Sequence, residues 1–357
     1  MKPLKTLKTL TKTLAAASLS AALLFPVALL ADNTPTVPVG YVTLTAAAGT
    51  GTAKKTSLLS LPLYGTMEGD GAMKGELTYV SANALTNADA DWTPGQLSQA
   101  ATPCLIKITS GVATGRTFLI STTTPNTANT VTIDANDVAQ GALNTLGIAV
   151  GDSYELLPCD TLSSLFGTPE TRGVLGGANI NAADNIAITT NGRTDKFFYN
   201  STLNRWVKSF PGNPDATNQP LRPDAGVGYA RLATTNLELF LTGRVATTAR
   251  TAPVKNSGVT ILSQNWPTDV SLAHLKIHEI PTWTAATVIN AADWVELYIN
   301  GAIHSYWFDG TNWREDAPGS PVADSQIIPA GTAVILNKRG TAAGYNNINQ
   351  PLPYSLQ

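Results

Sequence analysis

One stretch of the chain occurs twice, and that repeat limits the fold more than any other feature. Residues 183–206 read ADNIAITTNGRTDKFFYNSTLNRW and residues 292–313 read ADWVELYINGAIHSYWFDGTNW. The offset is 109 residues through Tyr199 and Phe308 and falls to 107 at Trp206 and Trp313, a two-residue deletion in a turn. Ile186 and Ile188 align with Val295 and Leu297, the alternation of a half-buried strand. Asn191-Gly192 aligns with Asn300-Gly301, and Asn-Gly is the strongest two-residue hairpin signal because both residues accept positive φ. Each return strand carries a tryptophan. Both copies then run through a Pro-Gly segment into a further strand, Pro223 to Arg231 and Pro329 to Arg339.

The likeness extends upstream, where Ser57-Leu58-Leu59-Ser60-Leu61-Pro62 matches Val259-Thr260-Ile261-Leu262-Ser263 followed by Trp266-Pro267. The expected fold is mainly β: two related β-sandwich or barrel-like modules, the first carrying an inserted small β domain with short helices. The first module would take residues 38–76 plus 160–245, the insert 77–159, and the second module 246–357. Short helices are predicted from Thr93-Pro94, over Asn136 to Leu146, and over Thr161 to Phe166, where cap residues and a following Gly bound them. Strands are predicted at Leu105–Thr109, Val131–Asp134 and Leu237–Leu241.

Composition agrees. Threonine, whose branched Cβ suits a pleated surface, occurs 48 times. Hydrophobic residues make up 43% and charged residues 13%, against a usual charged share of about 25%. That profile excludes a disordered chain and a coiled coil. A formal charge of -2 leaves no basic stripe for nucleic acid.

Residues 1–31 read as a secretory signal peptide: Lys2, Lys5, Lys8 and Lys12, an apolar stretch from Leu14 to Leu30, and Ala31 before Asp32. No later stretch reaches the ~18 apolar residues of a membrane span, so the mature chain is expected to be exported without a transmembrane segment. In an oxidising compartment the two cysteines, Cys104 and Cys159, are expected to form a disulfide.

Four segments carry a family likeness: LIKITSGVATGRTFLI (105–120), GIAVGDSYELLPCDTLSSLFG (147–167), the FFYNSTLNRW hairpin, and PDAGVGYARL (223–232). In these the chain resembles an uncharacterised family of exported proteins from verrucomicrobial bacteria. The resemblance implies export and a β fold. It assigns no activity, so no functional residue is carried over.

Chemistry is sparsely signalled. His274 and His278 lie four apart, but Leu275 stands where a zincin places Glu, and no third ligand follows. No G-x-S-x-G elbow occurs. The acid-rich spots are Glu68-Gly69-Asp70, Asn87 to Asp91, and Glu315-Asp316. Asn87, Asp89 and Asp91 open like a calcium loop, yet Trp92 replaces its glycine and Ser98 its closing Glu, which leaves room only for a loosely bound calcium and no other cofactor.

The remaining candidates are aromatic. Phe197, Phe198, Tyr199 and Trp206 match Tyr306, Trp307, Phe308 and Trp313. Alternation puts Phe198 and Trp307 on one face and Phe197, Tyr199, Tyr306 and Phe308 on the other. Such rings either fill a shared core or stack on sugars. The expected function is that of an exported, non-enzymatic structural or binding protein of the envelope, surface or matrix, associating with itself or other envelope components. The alternative is a carbohydrate-binding protein gripping glycans with the paired aromatic hairpins.

Overall fold

The computed structural model describes residues 38–65, 73–299 and 302–355. The leader expected over 1–31, the acidic spot at 68–70 and the turn residues Asn300 and Gly301 lie outside the described residues.

Antiparallel sheets joined by short turns make up the chain. The first five-stranded sheet has the order β12 (Arg205–Lys208), β11 (Arg193–Asn200), β10 (Asn185–Thr190), β13 (Val227–Arg231), β2 (Lys55–Leu59). The second has the order β20 (Trp313–Glu315), β19 (Ala302–Phe308), β18 (Trp294–Ile299), β22 (Ala333–Lys338), β16 (Gly258–Ser263). Taken by position in the chain, the two orders are the same. So are the registers: Ile186 opposes Phe197 and Tyr229, as Val295 opposes Tyr306 and Leu336. Tyr199 faces Trp206 as Phe308 faces Trp313, and Val227 faces Leu59 as Val334 faces Leu262. Asn191 and Gly192 both have positive φ, 52° and 77°, as a two-residue hairpin turn demands.

Each sheet packs against a two-stranded ribbon. β1 (Val39–Ala46) pairs with β14 (Leu237–Arg244), and β15 (Arg250–Lys255) pairs with β23 (Tyr345–Gln350). Alternation turns Val42, Leu44, Leu239 and Leu241 inward onto Ile186, Phe197 and Tyr229. Ala252, Val254 and Ile348 meet Val295, Tyr306 and Leu336 in the same way. A small ladder of β17 (Val270–Ser271) and β21 (Ile327–Ile328) closes one end of the second core.

Residues Met73 to Leu156 supply a third hydrophobic cluster. Around it lie a four-stranded sheet, β3 (Lys74–Glu76), β9 (Ser153–Pro158), β6 (Cys104–Ile108), β7 (Thr117–Leu119), and a three-stranded one, β4 (Tyr79–Val80), β5 (Ala84–Thr86), β8 (Thr130–Thr132). Helices are few and short. Thr161 caps α2 (Leu162–Phe166) through a capping box, and Gly167 ends it, as the sequence indicates. Thr93-Pro94 leads only to a 3-10 turn at Gln96–Ser98. The helix predicted over 136–146 is reduced to α1 (Ala135–Val138) and a 3-10 turn at Leu143–Thr145, because Gly141 sits at φ 151° and breaks the run. A further short helix, α3 (Pro169–Arg172), follows α2.

The expected disulfide is absent: Cys104 and Cys159 are free, buried thiols. Cys104 lies opposite Pro158, one residue short of Cys159. Side chains of adjacent strand positions leave on opposite faces, so Cys104 enters the third cluster beside Ile106 while Cys159 joins Leu105 and Leu157 on the other side. Burial pushes the Cys104 thiol up to about 11 and the Cys159 thiol up to about 12. Neither is a nucleophile at neutral pH.

A buried aspartate recurs at the head of each repeat. Asp184 accepts hydrogen bonds from the backbone N–H groups of Leu175 (2.8 Å) and Leu232 (2.7 Å) and pairs with Arg231. Asp293 accepts from Thr284 (2.8 Å) and Arg339 (2.7 Å) and pairs with Lys338 at 3.3 Å. Leu232 and Arg339 follow the last residue of β13 and of β22, so each carboxylate ties a strand end to the loop before the repeat.

Candidate functional site

The two five-stranded sheets meet along β2 and β16, and the contacts are reciprocal. Leu59 bridges to Thr332, and Leu262 bridges to Ala225. The Ser60 N–H donates to the Gly331 carbonyl at 2.8 Å, and the Ser263 N–H donates to the Asp224 carbonyl at 3.3 Å. Leu59 and Leu262 hold the same place in their sheets, as do the segments before β13 and β22. Such exchange of partners is what a local two-fold between the sheets produces. It also creates two equivalent clefts, one on each side of the junction.

One cleft is narrow. Its space, lined in part by Thr189, Asn191, Asp224, Thr260 and Tyr345, is about 50 Å³. Tyr345 Oη donates to Asn191 Oδ1 at 2.9 Å, and Asn191 Nδ2 donates to the Asn136 carbonyl at 2.9 Å. Arg116 reaches from the third body to Asn347 and, at 2.9 Å, to Gln140. Arg222 is saturated by Asp137, Asp224 and the Thr117 carbonyl. Burial pulls its guanidinium down, but the two carboxylates outweigh that and hold it above its ordinary range.

The other cleft is open and encloses about 600 Å³. Tyr298 stands where the narrow cleft has Thr189, Gly331 where it has Asp224, and Ser57 where it has Thr260. Gly331 is fixed by close approach: its φ is 77°, and a Cβ there would lie 2.5 Å from Leu44 Cδ2. The lining comes from alternate positions of β1 (Thr43, Thr45), from β2 (Lys55, Thr56, Ser57), and from Asn236, Tyr298 and Thr332. Ser57 Oγ accepts from the Ala47 N–H, and Asn236 Oδ1 from the Ala48 N–H. No carboxylate lines this cleft, and Lys55 forms no ion pair among the described residues. Hydroxyls, one amide, one phenol ring and one ammonium, set beside the apolar Leu44, Leu58, Leu59, Pro329 and Ala330, can hold a polar ligand by hydrogen bonds.

The aromatic candidates lie elsewhere. Phe197, Tyr199 and Trp206 are in the first core, and Tyr306 and Trp313 in the second. Phe198 packs against Ala183 and Val207 on the reverse face, and Trp307 is 3% exposed. Phe308 is half-buried, and its ring stacks on His278 at 4.4 Å. Trp206 Nε1 donates to the Gly167 carbonyl at 2.7 Å. His274 and His278 diverge, the former meeting the Pro351 carbonyl at 3.1 Å. Asn87 spends its side chain on Tyr154 Oη and the Asp89 N–H. Among the described residues no group of three His, Cys, Asp or Glu side chains converges on a metal position. The sequence reading missed Thr43, Thr45, Lys55, Asn236, Tyr298 and Thr332. The one available signal was the replacement of Thr189 by Tyr298 between otherwise matching repeats.

Fold and site define a class: a charge-poor antiparallel β protein with an open, carboxylate-free cleft between two sheets of the same strand order. No protein-family model matches the chain, and no curated protein does. Among solved structures, a Ca2+-stabilized adhesin that helps an Antarctic bacterium reach out and bind ice shows 12% identity over 85% of this chain and 73% of its own. Its TM-score is 0.11, too low to carry any argument. Among the described residues no helix is long and apolar enough to cross a membrane.

Proposed function

We propose that the chain is an exported, non-enzymatic structural or binding component of the cell envelope, surface or extracellular matrix. In this reading it consists of two related β modules, 38–76 plus 160–245 and 246–357, with residues 77–159 inserted in the first. The repeated strand order, registers and buried aspartates support the duplication. The resemblance to exported verrucomicrobial proteins and the leader over 1–31 support export.

The outward face of the β1·β14 ribbon carries the assembly half of the reading. Val39, Tyr41 and Phe240 are 70%, 77% and 64% exposed there, whereas the other ribbon is partly covered on that side and its exposed positions, Asn347 and Asn349, are polar. Thr251 Oγ1 of β15 donates to the Thr114 carbonyl at 2.7 Å, and Asn347 of β23 meets Arg116. The occupant of the bare face is a second copy of the chain, which presents the same apolar ribbon and gives a self-complementary contact; Thr43 and Thr45 share this face, so a second copy and a ligand at that edge compete for it. Light scattering on the chain without residues 1–31 is expected to give a mass above the monomer at high concentration. Tyr41→Ser with Phe240→Ser is expected to restore the monomer without lowering Tm. A strict monomer for the parent at high concentration contradicts the reading.

A further inference from the structure

We propose that the open cleft between the two sheets binds an acidic glycan, a chain of polyhydroxylated rings carrying carboxylate groups, with Tyr298 as the ring platform and Lys55 as the anion contact. The inference rests on the reading above that the chain binds and does not transform its ligand. It starts from the inequality of the two clefts. They are built from equivalent positions, yet one keeps about 50 Å³, beside a separate space of about 220 Å³ that shares Thr189, Thr190, Arg222 and Ala225 with it, and the other about 600 Å³. The small one is filled by this chain's own polar side chains: Tyr345, Asn191 and Gln140 occupy it with hydrogen bonds to one another or to neighbours. The large one has no such filler, and 600 Å³ falls within the range of small-molecule sites, about 300–1,000 Å³.

The lining decides the chemistry. Most ligand pockets are walled by apolar and aromatic groups with few polar ones. Here Thr43, Thr45, Thr56 and Thr332 set hydroxyls beside the apolar Leu44, Leu58, Leu59, Pro329 and Ala330, and each hydroxyl both donates and accepts. A ligand matching such a wall must itself offer many alternating donors and acceptors, as a sugar ring does. Tyr298, half-buried near the end of β18, lines the space with its phenol ring. Stacking on a phenol ring suits the apolar face of a pyranose. Lys55 is the one charged residue that lines the cleft, while Glu238, cross-strand from Thr45, and Asp269, which accepts from the Ala330 N–H at 2.9 Å, stand outside the lining, so a ligand anion is drawn to the Lys55 end. A carboxylate supplied by the ligand completes that pair.

Calorimetry on the chain without residues 1–31, with hexagalacturonate and with cellohexaose as probes, tests the assignment. Binding of hexagalacturonate is expected, with affinity falling about tenfold in Lys55→Ala and in Tyr298→Ala. Cellohexaose is expected to bind more weakly and to be indifferent to Lys55→Ala. Thr45→Trp, at an exposed strand position, is expected to block the cleft with Tm unchanged. No binding of either probe, or binding unaffected by all three substitutions, overturns the proposal, as does tighter binding of cellohexaose. Chromatography of the recovered probes separates the two readings: shortened oligosaccharides contradict the non-enzymatic function, whereas intact probes that fail to bind contradict only the glycan site.

Discussion

Replacing Asp184 or Asp293 with alanine is expected to lower the unfolding free energy by about 3–5 kcal/mol, the range for removing one partner of a buried ion pair. Asp184 is 1% exposed and Asp293 0%. Alanine at either site strands a buried cation and also orphans two backbone N–H groups, at Leu175 and Leu232 or at Thr284 and Arg339. Against a total stability of about 5–15 kcal/mol for a typical domain, either loss is severe. The two variants are not expected to be equal. Burial lowers the pKa of Lys338, so an unpaired Lys338 can shed its proton and relieve part of the loss. Tyr229 Oη also donates to Asp184 at 2.9 Å, and no tyrosine stands at the matching Leu336. Asp184→Ala is therefore the costlier change, and urea denaturation read by circular dichroism measures both. A loss below about 1 kcal/mol at either position shows that the carboxylate is not what ties strand end to loop.

The second large effect concerns the repeated tryptophans. Trp206→Ala and Trp313→Ala are each expected to cost about 3–5 kcal/mol, because both indoles fill a core and leave a cavity when truncated. Phenylalanine separates the two sites. Trp206→Phe deletes a 2.7 Å hydrogen bond to the Gly167 carbonyl and adds about 1 kcal/mol to the packing loss. Trp313 Nε1 has no partner among the described residues, so Trp313→Phe carries no such addition. Thermal and chemical denaturation of the four variants gives the comparison. If Trp313→Ala leaves stability unchanged while abolishing retention on a polysaccharide, the rings serve a ligand and not the core.

Much of this architecture was written in the repeat. Ile186 with Val295, and Asn191-Gly192 with its later match, fixed strand parity and hairpin position, and parity placed Phe197 and Tyr199 inside together. The same pattern held the buried aspartates in plain view: Ile180-Asn181-Ala182-Ala183-Asp184 is repeated without change at Ile289 to Asp293, though the strands that follow have diverged. A carboxylate kept where apolar neighbours drift is a structural signal. The disulfide expectation failed because spacing along a chain says nothing of strand parity, which sends Cys104 and Cys159 to opposite faces. The helix over 136–146 failed at Gly141. The open cleft was illegible for a different reason. Its walls come from Thr43, Tyr298 and Thr332, which periodicity cannot bring together, since their meeting depends on how one sheet docks on the other.

That docking is the claim on which the cleft and its narrow counterpart both depend. Paired cysteines test it most directly, at Leu59 with Thr332 and separately at Leu262 with Ala225, in a chain whose Cys104 and Cys159 are changed to serine. Both are antiparallel bridge pairs, whose Cα separation of about 4.5–5.5 Å admits a disulfide. Mild oxidation followed by mass spectrometry is expected to show an intramolecular cross-link in each variant. A cross-link in one pair and persistent free thiols in the other contradicts the reciprocal junction.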